Sequence, residues 1–284
     1  MALPTGEMTN TTLAELIPEI WDGQAMNDFY RAGLVTANHF TDYSSTLAAG
    51  GDTLNIPSLT EMTASSKGEA TAVTLNQPTE TSVNLVVDTW YEVSFVIPDR
   101  AAVQVLHSYQ LQERYMKNSA YTAAAVLEDA IIALFDNFSQ TVGTSAAGIL
   151  DSNVRAAILY LDAANAPSEG RAFFLSPKAV WTDLMAIDKF TLVNETPGGD
   201  PVMKGFRGYL YGIPVYVTSR IGTTLGSAQN CLAHSDAIVH ASGFMRTQVN
   251  YLPEHLGTLV TSDILFGVIE NRDTSGVWIK TAAA

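Results

Sequence analysis

From Val83 to Ile97 the odd positions read Val, Leu, Val, Thr, Tyr, Val, Phe and Ile, alternating with residues such as Asn84, Asp88, Glu92 and Ser94. A period of two marks a β-strand, and this run is far longer than the usual strand of about five or six residues. At about 3.3 Å per residue it spans on the order of 50 Å. Together with "GDTLNIPSL" it brackets a polar, small-residue middle, "TEMTASSKGEATAVTLNQPTE", with too few apolar residues for a core of its own. The pattern predicts a projecting β-hairpin. Upstream, residues 1–48 alternate short apolar clusters with Asn, Thr, Ser and Gly, and Pro18 and Gly23 forbid one long helix. Leu13, Leu16, Ile20, Trp21, Phe29 and Tyr30 are too many apolar residues for a free tail, so this arm is expected to dock, a neighbouring subunit being one candidate surface.

After the strand, Pro98 and Asp99 give a helix start, with the aspartate available as N-cap. The stripe Leu106, Tyr109, Met116, Ala120, Ala124, Leu127, Ile131, Leu134 and Phe138 recurs at helical spacing, with Glu113 as the one gap. Residues 99–142 contain no glycine or proline, and the stripe within them predicts a spine helix roughly 55 Å long. "GTSAAG" is expected to close it. "SNVRAAILYLDAANAP" reads as a second amphipathic helix, "RAFFLSP" as a short buried strand, and "KAVWTDLMAID" as the helix it feeds. This rhythm predicts a compact second region with helices packed on a sheet. Beyond the loop "NETPGGDPVMKGF", the stretch "FRGYLYGIPVYVTSRI" is a glycine-punctuated entry into a central strand. "CLAHSDAIVHAS" and "TSDILFGVIENRDTSGVWIKTAAA" follow as further strands, with "RDTSG" as the turn of a last hairpin.

Composition narrows the function classes. Hydrophobic residues make up 47% of the 284 and charged residues only 15%, which leaves little solvated surface for a monomer and tilts the reading toward an oligomer. A net charge of −14 argues against unselective gripping of phosphate backbones or anionic lipid. One cysteine, Cys231, excludes an intrachain disulfide framework and a cysteine-based zinc site. The stretch "MALPTGEMTNTTLAELIPEIW" lacks a basic start followed by an apolar run, so no secretion signal is expected, and no uncharged apolar run reaches the roughly 20 residues a membrane helix needs.

The search for chemistry returns nothing. There is no P-loop and no G-x-G-x-x-G, and "GTSAAG" misses the nucleophile-elbow pattern and is expected to follow a helix instead of a strand. His39, His107, His234, His240 and His255 include no i, i+4 pair; His234 and His240 are expected on one strand-like face as ordinary core or solvated residues. Cys231 reads as a buried inert thiol at the start of a strand. Glu128 and Asp129 fit a solvated or interfacial helix face better than an acid/base pair. No catalytic, cofactor-binding or metal-binding residue is assigned, and no enzyme activity is expected.

The order of parts is arm, projecting hairpin, spine helix with a late Glu-Asp pair, compact α/β region, and glycine-proline strand. It resembles the major capsid protein of tailed bacteriophages, a fold shared with the herpesvirus capsid floor and with encapsulin shells. The sharpest likeness is a strand of the type G-x-L-x-G-x-P-V-x-V, matched by Gly208, Leu210, Gly212, Pro214, Val215 and Val217. "FFLSPKAVWTDLMAI" is similar to the family's strand-proline-helix step.

The resemblance implies an α+β chain divided into an N-terminal arm (1–48), an extended loop with peripheral-domain strands (49–98) and a peripheral domain with the spine helix (99–148). An axial domain (149–245) and returning C-terminal strands (246–284) complete it. It implies self-assembly as pentamers and hexamers into an icosahedral shell enclosing double-stranded DNA, without sequence-specific binding and without membrane contact. Portal, scaffolding and decoration proteins are the implied partners, and the virion the implied location. Candidate assembly residues are Lys67 and Glu69 at the loop tip, Trp90 on the long strand, and Gly208, Gly212 and Pro214. Some family members join the loop to a neighbour through a lysine-asparagine bond, and Lys67 is the loop's one lysine; a solvated tip lysine is the plainer reading. An encapsulin-like shell enclosing cargo enzyme is the alternative, and a soluble hydrolase or ligand-binding protein the reading from another class.

Overall fold

The computed structural model describes residues 36–47, 51–59, 62–73, 75–77, 80–100, 111–187 and 208–283. The described part opens with β1 (Thr41–Asp42), one helical turn (Ser44–Leu47) and the ribbon β2 (Thr53–Leu59) and β3 (Glu80–Val86). Next come β4 (Thr89–Pro98), α1 (Leu111–Ile132), β5 (Thr141–Gly143), α2 (Asp151–Ala163) and β6 (Arg171–Leu175). The last described part is mostly strand: β7 (Tyr209–Leu210), β8 (Ile213–Val217), β9 (Thr223–Thr224), β10 (Ser227–His234), β11 (Ile238–Leu252), β12 (Gly257–Glu270) and β13 (Gly276–Ala282). The mixed α+β class expected from the pattern is what the chain adopts.

Two sheets carry the fold. A four-stranded sheet runs in the order β1-β11-β12-β4, and a seven-stranded mixed sheet runs β5-β13-β10-β6-β8-β7, with β9 pairing onto β10. The second sheet is covered on both faces, and β6, "RAFFL", is buried at every position as its continuous apolar run predicts. Phe173 and Leu175 point into a core with Val154, Ala157 and Leu161 of α2 and with Val180 and Leu184 of the segment after β6. Ala172 and Phe174 point the other way, into a core with Ile131, Ile132, Phe135, Phe138, Phe40 and Cys231. On the first sheet, Ile264 and Phe266 of β12 pack against Ala123, Val126 and Leu127 of α1. The helix thus lies across both sheets, its middle on one and its end on the other.

The base of the ribbon lies on the opposite face of the four-stranded sheet, where Leu85 and Val87 pack with Val239, Ala241 and Leu265. It crosses β12 at Gly267, where an added Cβ would overlap the carbonyl oxygen of Val86. Only glycine admits so close a backbone crossing.

Several expectations need correction. The long alternating run is two strands in different sheets: β3 pairs with β2, while β4 pairs with β12 from Thr89 opposite Phe266 to Pro98 opposite Gly257. The chain bends at Val87 and Asp88 yet keeps its phase, so Leu85 and Val87 are both buried and the sequence shows no break. The described helix ends at Ile132 instead of Phe138; beyond it Leu134 N donates to Ile131 O and Phe135 N to Ile132 O, a tighter turn that keeps Phe135 and Phe138 in the core. Residues 101–110, where the predicted helix begins, lie outside the described part. "GTSAAG" follows strand β5 and does not close the helix.

"KAVWTDLMAID" is helical but irregular, a π-turn at Ala179–Asp183 followed by a 3-10 turn at Leu184–Ala186. "RDTSG" is no hairpin turn, because β12 and β13 belong to different sheets and the 3-10 turn Asp273–Ser275 carries the chain between them. "CLAHSDAIVHAS" is likewise broken at Ser235–Ala237, which puts His234 at the end of β10 and His240 on β11. Cys231 sits in the middle of β10, fully buried, and burial pushes its thiol pKa far up, as an inert core thiol requires. The glycine-proline strand, β8, is next to the edge of its sheet and not central.

Candidate functional site

Residues 1–35 of the arm lie outside the described part, but its root docks on its own chain. Glu128, only 1% exposed, faces the root from α1 and accepts hydrogen bonds from the backbone N–H of Thr36 at 2.8 Å and of Ala37 at 3.2 Å. Its solvated reading is overturned. A carboxylate is tolerated in such a place when backbone donors satisfy its charge. The neighbour Asp129 is exposed and pairs with Arg220, whose Nε lies 2.7 Å away. On the other side His240 Nε2 donates to Ala37 O at 2.9 Å, Phe40 stacks on Phe174, and β1 runs parallel to β11. His39 rests edge-on against Phe40 and Phe174, and burial lowers its pKa.

The ribbon carries the most exposed part of the chain. Beyond Leu59 and Glu80, the described residues of 62–77 form no ladder, and their side chains are solvent-facing, including Met62, Val73 and Leu75. Asn76 Nδ2 donates to Thr63 O across the two arms. The tip is a turn in which Thr71 N donates to Gly68 O and Lys67 Nζ to Thr71 O at 2.6 Å. Lys67 and Glu69 therefore sit together at the apex. Trp90 is remote from them, 65% exposed on β4, its indole N–H donating to the buried Asp263 at 3.3 Å.

The glycine-proline stretch resolves into a hairpin. Leu210 pairs with Ile213, leaving Tyr211 and Gly212 as a two-residue loop with φ of 52° and 82°. Two positive φ values are the type I′ turn, whose twist matches that of paired strands. Gly212 is free of steric cost there, whereas Tyr211 is not, and its hydroxyl is hydrogen-bonded to Asp151 at the start of α2. Gly208 precedes β7 and accepts from Val215 N at 3.1 Å. Pro214 lies one residue before the ladder with β6 begins at Val215, so its missing donor costs nothing there. Leu225 and Gly226 repeat the turn between β9 and β10, with Leu225 88% exposed at φ 52°. Leu225 was missed in the sequence, although an X-Gly pair between "TT" and "SAQ" reads as a hairpin turn with an apolar residue in an unusual place.

Among the described residues no group of three His, Cys, Asp or Glu side chains could hold a metal ion, and no helix is long and apolar enough to cross a membrane. What the sequence singled out is spread over three places, the ribbon tip, the outer strand β4 and the β7–β8 turn, and no two of these sites converge.

No family model matches the chain, and no curated protein matches it. Solved structures do. One from Mycobacterium phage Che8 superposes with a TM-score of 0.77 over 93% of this chain and 96% of its own, at 19% identity. The capsid structure of the cyanophage P-SCSP1u gives 0.74 over 99% and 97%, at 13% identity. The mature capsid of bacteriophage PhiM1 gives 0.68 over 100% and 92%, at 11% identity. At such low identity the likeness speaks for architecture, and the architecture is shared from one end of the described chain to the other: this chain has the tailed-phage major capsid fold.

Proposed function

We propose that the protein is a major capsid protein, assembling with copies of itself as pentamers and hexamers into an icosahedral shell around double-stranded DNA. The observation that carries this reading is the nearly complete, end-to-end likeness to phage capsid structures. The chain's own physics supports it. A ribbon whose distal half buries nothing in its own chain gains order only when another surface covers it. The division into arm, extended loop, peripheral and axial domains at residues 48, 98, 148 and 245 belongs to this reading. So do the assembly roles of Lys67, Glu69, Trp90, Gly208, Gly212 and Pro214, and a role that is structural instead of enzymatic. Portal, scaffolding and decoration proteins would join it in the virion, after synthesis in the host cytoplasm. A net charge of −14 suits a wall that encloses DNA without adhering to it.

The test is direct. The chain, expressed alone and with candidate scaffolding genes, is fractionated by size and imaged by electron microscopy; closed shells are expected, and a small oligomer under every condition would refute the reading. The cargo-enclosing shell is not favoured, because the three matched structures named above come from phages. Intact mass under denaturing conditions tests Lys67: monomer is expected from a solvated tip lysine, and a ladder of multimers from a bond to a neighbour.

A further inference from the structure

The root of the arm collects unpaired groups. Among the described residues, three buried side-chain polar atoms have no hydrogen-bond partner: Thr36 Oγ1, His39 Nε2 and His240 Nδ1. All three lie where residues 36–42 dock on the two sheets, since His240 is the residue that reaches Ala37 O from β11. A buried polar atom without a partner costs stability, and native folds keep few of them. Three histidines stand at this dock, and they differ in what would face a proton. His234 Nδ1 has Asp236 Oδ2 3.8 Å away, and His240 Nδ1 has Asp42 Oδ1 at the same distance. The neighbours of His39 are rings instead, those of Phe40, Phe174 on β6 and Tyr216 on β8. From β10 it faces His234 and the carbonyl of Ala233, and from the turn before β6 the carbonyl of Gly170. The charged groups on the surrounding elements are engaged elsewhere: Glu128 of α1 with the N–H groups of Thr36 and Ala37, Asp129 with Arg220, and Arg171 of β6 with Asp162.

A proton on His234 or His240 meets a carboxylate; a proton on His39 meets aromatic carbon and a second histidine. We propose that residues 36–42 form an acid-released latch, in which a proton taken up by His39 lifts the root from the sheets while the core beneath stays closed. The opening is local because the root's whole ladder is the two-residue β1, and because β6 and β10, which it covers, keep their own pairing when it leaves. Burial, and after it His234, hold the His39 pKa below the ordinary value, and the carbonyls of Ala233 and Gly170 offset this only in part. The open root therefore binds the proton more readily than the docked one. Docking is full above the ordinary imidazole pKa of about 6.5 and weakens as pH falls toward the lowered value. The device belongs to one chain by itself and stands apart from the shell reading. Residues 1–35 join the fold through it.

The test is amide hydrogen exchange on the full chain at a series of pH values from about 8 down to about 5, corrected for the intrinsic chemical rate, across the ordinary imidazole pKa. Residues 36–42 are read against residues 171–175 of β6 as the internal reference. Protection of the root is expected to fall below pH of about 6.5 by as much as about tenfold per pH unit, the slope of one proton, while β6 keeps its protection. His39→Phe, which keeps a ring and removes the proton, should abolish the slope. His39→Gln, also neutral, gives the same reading where the phenylalanine does not fold. His240→Gln, which keeps a donor for Ala37 O, should leave the slope in place. Root protection that does not change with pH overturns the latch, and so does a slope that survives in the folded His39 variants or vanishes in His240→Gln. Loss of protection in β6 in step with the root overturns it as well, because the acid effect would then be global unfolding.

Discussion

Glu128 shows how one side chain can commit a segment of backbone to a place. Its carboxylate holds the N–H groups of Thr36 and Ala37 inside the protein, at the point where the arm enters the fold. Glu128→Ala strands one buried and one half-buried donor, and the expected loss is about 2 kcal/mol, read as a lower denaturation midpoint; Glu128→Gln, which keeps an acceptor, should lose less. Gly267 is a second such residue. Gly267→Ala forces the Val86 carbonyl away, so the ribbon base should loosen while the rest of the sheet holds, read as faster amide exchange over residues 83–88 than elsewhere. His39 adds a dependence on acid. Burial holds its folded pKa below the ordinary imidazole value, with His234 acting in the same direction, so the unfolded chain binds the proton more readily. Stability is therefore full above the ordinary value of about 6.5 and falls as pH drops toward the lowered one. Unfolding midpoints at decreasing pH should show this, and His39→Phe, which keeps the ring packing, should flatten the slope.

Among the elements, the β9–β10 turn places an apolar side chain where both its backbone and its exposure are unfavourable. Leu225→Asn suits a left-handed first turn position, and thermal melting of the unassembled chain should show a gain on the order of 1 kcal/mol. Loss of shell yield in the same variant would mark Leu225 as an assembly contact. Legibility in the sequence also divides by element. α2, β6 and the ribbon were legible, because a buried stripe or an alternating run follows directly from which face meets the core. The bend at Val87 and Asp88 was not, because the side-chain phase passes through it unchanged. The helix end was hidden in the same way, since the 3-10 turn carries Phe135 and Phe138 inward at the spacing a helix would use. "RDTSG" shows a turn but not which sheets it joins, and Glu128 looks like any surface acid until the arm root is seen against it. The candidate residues Lys67, Gly212 and Pro214 were placed by type; their neighbours come only from pairing between distant strands.

At the scale of the whole molecule, charge and association oppose each other. Copies each carrying −14 repel, and the range of that repulsion shrinks from about 10 Å at 0.1 M salt to about 3 Å at 1 M. Sedimentation across that range should show the assembled fraction rising with salt. Assembly also depends on when a copy becomes complete. β13, residues 276–282, lies inside the seven-stranded sheet, between β5 and β10, and Val277 and Ile279 belong to the core beneath α2. Every other described strand precedes it in the chain, so during synthesis that sheet stays split until the ribosome has released residue 282. A nascent copy therefore cannot present a finished sheet to a neighbour, and under the proposed function a subunit joins its neighbours only after residue 282 has left the ribosome.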